Sequence, residues 1–225
     1  MLRQSGFGVA LLALIALDFL MAAVAIMQYP AFFQQRLARM YLLELAGVLL
    51  VYAAGAICIA KASGELWSAV RKNATVFGLV TGALELVYLG IENVAPAAAG
   101  SPVFSIGSML LVFALWGIAA VWTIRSGSSF RAGILTAVVS AGFCMLLAVA
   151  AGFLIEFFVH PPEPALVSTW EEFKRSGWTD AHAFGLANTL DSGFTHLLVA
   201  PIIALIVGSA GSLLSRLLPP GRSVN

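Results

Sequence analysis

The sequence has few charged residues and almost no cysteine. Asp, Glu, Lys and Arg make up 10% of its 225 residues, whereas soluble domains carry about 25%. Two cysteines cannot build a disulfide scaffold. A net charge of +1 leaves no basic surface for nucleic acid and no acidic surface for cationic partners. What remains is apolar, at 60% hydrophobic residues and a mean hydropathy of +0.96, and this composition indicates a membrane protein.

The apolar residues are grouped into stretches long enough to cross a bilayer. A spanning helix needs about 20 mostly apolar residues to cross roughly 30 Å of hydrocarbon. Six stretches meet this length: residues 7–27, 41–60, 74–94, 103–124, 132–159 and 194–215. The sequence therefore predicts one all-α domain over residues 1–225, a polytopic transmembrane helix bundle with the lipid bilayer as its partner.

The basic residues predict the orientation of the bundle. Cytoplasmic loops hold the excess of Lys and Arg, and eight of the 12 basic residues fall at the end that contains both termini. The other four are Arg36, Arg39, Lys174 and Arg175. We therefore expect both termini in the cytoplasm, residues 160–180 as an external loop, and a location in the cell membrane, most naturally a bacterial inner membrane.

The external loop contains a predicted short amphipathic helix. Ser168 precedes Glu171 by three residues, the spacing of a capping box. Trp170, Phe173 and Trp178 are interspersed with charged residues, which is typical of a helix that lies in the interface with its rings toward lipid or the bundle.

The first apolar stretch also has an alternative interpretation. Arg3, the apolar run and the small residues Ala23 to Ala25 together resemble a secretory signal. The run is longer than the usual signal core, however, and Asp18 interrupts it. We therefore expect a retained first helix.

Two of the carboxyl groups inside predicted spans lie near the middle of the bilayer. Asp18 and Glu85 each lie eleven residues into their span, a depth of about 16 Å from the cytoplasmic boundary. No Lys or Arg falls within any predicted span to neutralise them. Each must therefore be protonated, bound to a cation or open to water. We predict that they form an intramembrane acid pair.

The third span carries a polar stripe. Thr81, Glu85, Tyr88 and Glu92 are separated by four, three and four residues, which places them on one face of a helix. Such a face should point into the bundle. It is either a hydrogen-bonded packing seam or a functional surface.

Polar residues also collect at the outer helix ends. Glu44, Glu156, Asp191 and His196 each lie near the outer end of a predicted helix. With Glu92 they predict an outer vestibule that attracts cations.

A metal site is a minor alternative at the same end. Glu156 and His160 are four residues apart, so they share a helical face, and His182 and His196 could join them. Carboxylate and imidazole ligands suit a first-row transition metal, but the spacing matches no fixed metal signature.

Several chemistries are not indicated. No lysine lies within a span to form a Schiff base, and there is no phosphate-binding loop, dinucleotide turn or nucleophile elbow. We therefore expect no nucleotide and no nucleic acid as partners. The sequence indicates no cofactor and favours a role that is not enzymatic.

Three functions remain open. Small residues at four-residue spacing, such as Ala204, Gly208 and Ser212, and the pair Gly47 and Gly55, favour a binding or assembly component of a membrane complex, with other subunits or a second copy as partner. The intramembrane carboxylates favour a proton- or cation-linked permease. The outward Glu and His residues would suit a membrane enzyme or redox protein.

Overall fold

The protein is entirely helical in the part that the structure describes. A computed structural model describes residues 2–94, 101–159 and 171–217, and no strand occurs in these ranges. The helices are α1 (Leu2–Gln28), α2 (Arg36–Lys61), α3 (Glu65–Val94), α4 (Pro102–Arg125), α5 (Phe130–Phe158), α6 (Glu171–Ser176) and α7 (Ala181–Leu217). A 3-10 helix, Pro30–Gln34, connects α1 to α2.

Six of these helices are long and apolar enough to cross a membrane, and this confirms the predicted number of spans. They are α1 to α5 and α7, whose candidate spans have mean hydropathies between 1.7 and 2.7. Six such helices are consistent with a multi-pass integral membrane protein. The short helix α6 lies between the fifth and sixth spans, as predicted, although Ser168 and Trp170 lie outside the described residues.

α5 occupies the centre of the bundle. In its most apolar window 56% of the residues are buried, compared with 17–33% in the other five spanning helices. α1, α3, α4 and α7 all pack against it, while α2 packs against α1 and α7. Polar side chains on α5 are therefore shielded from lipid.

The bundle has two distinct ends. We call the end where α1, α3 and α5 begin and α2, α4 and α7 finish the terminal end. At this end Gly8 lies against Ala60, and the Arg216 guanidinium lies 4.7 Å from the ring centre of Phe130. The opposite end, where residues 28–36, 94–102 and 158–181 connect the helices, is called the distal end below.

The second connection is shorter than the sequence suggested. The predicted spans 41–60 and 74–94 leave thirteen residues between them, but α2 runs to Lys61 and α3 begins at Glu65, so the predicted start of the third helix was wrong. Gly64 makes the turn with a φ of +100°, a conformation that glycine adopts without strain. Arg71, Lys72 and Asn73 lie in the first part of α3. Arg71 stabilises this part of the helix, because its Nη1 donates hydrogen bonds to the carbonyls of Ile59 and Ala62 at the end of α2.

The last helix is longer than its apolar stretch. α7 begins at Ala181, thirteen residues before the predicted start of the sixth span. Asp180 caps it, because its Oδ1 accepts hydrogen bonds from the backbone N–H groups of His182 and Ala183. Helix propensity and this cap extend α7 beyond the part that hydropathy detects.

Small residues allow α7 to pack closely on its neighbours. A Cβ at Gly208 would lie 2.7 Å from the Cβ of Ala137, and one at Gly211 would lie 2.5 Å from the carbonyl oxygen of Gly117. These residues serve packing within the bundle. By contrast, a Cβ at Gly47 or Gly55 of α2 would meet nothing within 4 Å.

Candidate functional site: a polar cavity between three helices

A cavity of about 540 Å³ lies between α3, α5 and α7 in the distal half of the bundle. Glu85, Tyr88 and Glu92 line it from α3. α3 and α7 both pack along α5, which contributes an apolar wall that includes Val149 and Gly152. The cavity is therefore polar on two sides and apolar on the third.

Helix periodicity explains why the α3 side is polar. Glu85, Tyr88 and Glu92 are the three upper members of the predicted stripe, and a helix brings residues at this spacing to one face. The fourth member, Thr81, is fully buried and its hydroxyl donates to the carbonyl of Phe77 at 2.7 Å. The stripe thus runs from the core into the cavity.

Aromatic packing orders the distal part of the stripe. The Tyr88 ring stacks on Phe104 of α4 with ring centres 5.7 Å apart. Its hydroxyl donates a long hydrogen bond of 3.4 Å to Glu92 Oε1. Tyr88 therefore connects α3 to α4 beside the cavity and orients the outer carboxylate.

The α7 side contributes amide, hydroxyl and imidazole groups. Asn188, Ser192 and His196 line the cavity at four-residue spacing. His196 Nδ1 lies 2.7 Å from the backbone carbonyl oxygen of Ser192. The Ser192 hydroxyl oxygen lies 3.1 Å from the same nitrogen, so Ser192 holds the Nδ1 edge of the ring in place.

Glu85 and His196 form the electrostatic centre of the cavity. The His196 imidazole and the Glu92 carboxylate both lie near enough to act electrostatically on Glu85. Glu85 is half-buried, whereas Glu92 and His196 are exposed. A carboxylate attracts a cation only while it is ionised, so a site built around Glu85 can link a cation to a proton.

The five residues predicted to line one outer vestibule fall in three places. Glu92 and His196 line the cavity, while Glu44, Asp191 and Glu156 do not. Glu44 and Asp191 both lie close enough to Tyr41 for their charges to act on its phenol. This groups them at the α2 side of α7, away from α3.

Glu156 belongs to a third group, at the distal start of α7. It is fully buried, and a Cβ at Gly185 would lie 2.8 Å from its Oε1. Nearby, the Tyr29 ring stacks on His182 with ring centres 5.5 Å apart. Burial raises the pKa of Tyr29, and the negative charges of Glu156 and Asp180 raise it further.

The described residues do not assemble the metal set suggested by the sequence. His196 lies eleven residues beyond Gly185 along α7, a rise of about 16 Å, so it is far from Glu156 and His182. His160 lies outside the described residues. Within residues 2–94, 101–159 and 171–217, no group of three or more His, Cys, Asp or Glu side chains is arranged to hold a metal ion.

Asp18 is buried away from the cavity. It is fully buried among the inward-facing residues of α1, which include Ile15 and Ala22. Neither carboxyl oxygen has a hydrogen-bond partner among the described residues, so no direct hydrogen bond joins it to Glu85. A neutral acid is the form that such apolar surroundings accommodate.

The short helix α6 is held on the bundle by aromatic contacts. Phe173 of α6 and Trp178 in the following turn both pack edge-on against Phe184 of α7, with ring centres 5.4 and 5.9 Å away. Glu171 and Lys174 form an exposed ion pair at 2.8 Å. The rings therefore face the bundle, and the charges face outward.

The sequence places Asn188 and Ser192 with His196 at the outer end of the last helix, but it does not bring them together with Glu85. That contact depends on which faces of α3 and α7 meet along α5. No family model, curated protein or solved structure matches the chain. The function is therefore inferred from the cavity and the residues around it.

Proposed function

We propose that the chain is a proton- or cation-linked permease whose binding site is the cavity between α3, α5 and α7. The observation that carries this proposal is a carboxylate, Glu85, close to an imidazole, His196, in one cavity between spanning helices. The volume of about 540 Å³ is within the range of roughly 300–1,000 Å³ typical of small-molecule sites.

The chemistry of the site supports linkage between a cation and a proton. A bound cation favours the ionised form of Glu85, and a proton on Glu85 removes that attraction. Because linkage is reciprocal, each of the two ligands lowers the affinity for the other. An exchange of this kind is the minimal requirement for coupled transport.

We also propose that the distal end faces away from the cytoplasm. The support is the predominance of basic residues at the terminal end, eight against four. Reporter fusions after Asn225 and within residues 160–170 should report opposite sides of the membrane. Activity of both fusions on the same side would contradict this orientation.

Proteoliposomes provide the test of permease function. Purified protein is reconstituted with a pH-sensitive dye inside the vesicles, and Na⁺ or tetramethylammonium is added outside. We expect a cation-driven proton movement in the wild type that Glu85→Gln abolishes, because this change keeps the shape and removes the charge.

Glu44→Gln is the matched control. Glu44 is another half-buried distal carboxylate, but it does not line the cavity, so we expect wild-type proton movement. Equal effects of the two substitutions, or no cation-driven proton movement in the wild type, would contradict the proposed function.

A second function, assembly with another membrane protein or a second copy, is supported by α2. A Cβ at Gly47 or Gly55 would have open space around it within the described bundle, and Leu43, Leu50 and Val51 are exposed on the same helix. Small residues on a helix surface permit close approach of another transmembrane helix. Gly47→Leu should then lower the mass of the particle in nanodiscs, and an unchanged mass would contradict association through this face.

A further inference from the structure

Buried polar side chains continue from the cavity toward the terminal end. On α5, Cys144, Ser140 and Thr136 are spaced by four residues, and all three are fully buried. The same face carries Ala148 and Gly152, which line the cavity. A single helical face thus extends from the cavity into a polar series.

The upper end of the series adjoins Glu85. The Cys144 thiol lies within hydrogen-bonding reach of Thr81 on α3, and Glu85 is near enough to act electrostatically on the same thiol. Thr81 lies one turn below Glu85 on the stripe. The carboxylate of the cavity is therefore adjacent to the first polar groups of the series.

The lower end of the series joins three helices. The hydroxyl of Thr123 on α4 lies 3.2 Å from that of Thr136. The Asn73 side-chain amide of α3 donates to Thr123 Oγ1 at 2.9 Å. Asn73 is eight residues from the start of α3, so this junction lies in the terminal half of the bundle.

The hydroxyls of Ser140 and Thr136 donate their protons to backbone carbonyls. The Ser140 hydroxyl donates to the carbonyl of Thr136 at 2.7 Å, and the Thr136 hydroxyl donates to that of Ala132 at 2.8 Å. Each proton is directed to the backbone, which leaves the oxygen lone pairs for a neighbouring donor.

We propose that this series, from Glu85 through Thr81 and Cys144 to Ser140, Thr136 and Thr123, is the route by which a proton passes between the cavity and the terminal end, with the Asn73 amide holding Thr123 in place. The proposal rests on the permease function proposed above and adds its pathway. Successive α5 positions are about 6 Å apart along the axis, so the proposed transfer requires one water molecule to enter from the cavity and bridge each gap with two hydrogen bonds.

The transfer conserves every atom. Each hydroxyl first turns its proton from the backbone carbonyl toward the next group. It then accepts a proton from the neighbour on one side and releases its own proton to the neighbour or bridging water on the other. Only O–H or S–H bonds form and break, and no oxidant or reductant is involved. A rotation of each group restores its starting orientation.

The test removes hydroxyls without removing volume. Proton movement is measured in the same proteoliposomes for Thr136→Val, Ser140→Ala and the double variant, and tetramethylammonium binding is measured separately by calorimetry. We expect the rate of proton movement to fall by at least about tenfold, while the affinity for tetramethylammonium at the cavity is unchanged.

Two variants serve as controls. Ser209→Ala removes an exposed hydroxyl that makes the same kind of bond, to the carbonyl of Leu205, and should leave proton movement unchanged. Thr136→Ser keeps the hydroxyl and should retain wild-type proton movement even if the valine variant folds poorly.

The outcomes separate the pathway from the function. If the double variant moves protons like the wild type while Glu85→Gln does not, the pathway is wrong and the permease function stands. If Thr136→Ser loses proton movement as completely as Thr136→Val, the residue acts through packing and the pathway is also wrong. A wild type without cation-driven proton movement overturns both proposals.

Discussion

The hydroxyl of Tyr52 donates a hydrogen bond of 2.7 Å to the backbone carbonyl of Leu197. Leu197 precedes Pro201 by four residues, so its carbonyl is the one that a backbone N–H at position 201 would bind in a regular helix. Tyr52, on α2, therefore replaces the donor that proline lacks. The same ring lies close to Gly142, where a Cβ would be 3.1 Å from Tyr52 Cε1.

Tyr52→Phe should destabilise the protein. The substitution keeps the ring but leaves a buried carbonyl without a donor, at a cost of about 1–3 kcal/mol. The free energy of unfolding can be measured by denaturing-detergent titration in mixed micelles.

Pro201→Ala provides the internal control for this pair. Alanine restores the backbone N–H, so in that background Tyr52→Phe should cost much less, and the double-mutant cycle should show coupling. Equal costs in both backgrounds would show that Tyr52 stabilises the bundle in another way.

Asp18→Val should stabilise the protein. Neither oxygen of this fully buried carboxyl has a described hydrogen-bond partner, and replacing such a group by an apolar one of similar size gains about 1–3 kcal/mol. The same detergent titration measures it. A loss of stability instead would indicate that the carboxyl is stabilised by a bound proton donor or cation.

The predicted acid pair of Asp18 and Glu85 can be tested together with that variant. If the two groups interact through water or another side chain, Asp18→Asn and Glu85→Gln should have non-additive effects on the free energy of unfolding. Additive effects would contradict the pair.

Gly211→Ala should weaken the contact between α4 and α7. The new Cβ would lie 2.5 Å from the Gly117 carbonyl oxygen, and such overpacking costs about 1–3 kcal/mol. Gly107→Ala is the matched control on α4, because a Cβ there meets nothing within 4 Å. It should gain about 0.5–1 kcal/mol from helix propensity. Thermal unfolding followed by tryptophan fluorescence should move in opposite directions for the two variants.

Tyr29 should make stability fall at alkaline pH. Its pKa is raised by burial and then by Glu156 and Asp180, so the folded state keeps the phenol proton at a pH where the unfolded state, near the ordinary value of about 10, has released it. Stability is then complete below about pH 10 and declines as the pH rises further. Tyr29→Phe keeps the stacking on His182 and should reduce this decline. An unchanged alkaline profile would show that Tyr29 titrates normally.

Hydropathy was sufficient to predict the number and type of helices, because six apolar stretches of about 20 residues admit few other structures. Hydropathy did not detect the helical residues 65–73 and 181–193, because the sequence there is more polar. Arg71 and Asp180 stabilise these regions through hydrogen bonds to backbone groups, and a hydropathy average does not contain that information.

The half of the bundle in which Glu92, Glu156 and Asp191 lie could be predicted, but their position around the bundle could not. Residue counting placed Glu92, Glu156 and Asp191 near one level, and the structure places them beside different helix pairs. Which faces of two helices meet depends on packing details such as Gly208 against Ala137. A periodic stripe on one helix was informative because its members share a face regardless of the neighbour.

The length of α7 links the cavity to the thickness of the host bilayer. Its 37 residues extend about 55 Å, whereas the hydrocarbon layer is about 30 Å thick. If Leu217 lies at one boundary, an upright helix reaches the other boundary near Leu198, beside the cavity residue His196. Lipids with longer acyl chains would move that boundary toward Asn188 and cover the cavity, and shorter chains would expose it to water. Acyl-chain length would then control access to Glu85, so the same protein would have different activity in membranes of different thickness.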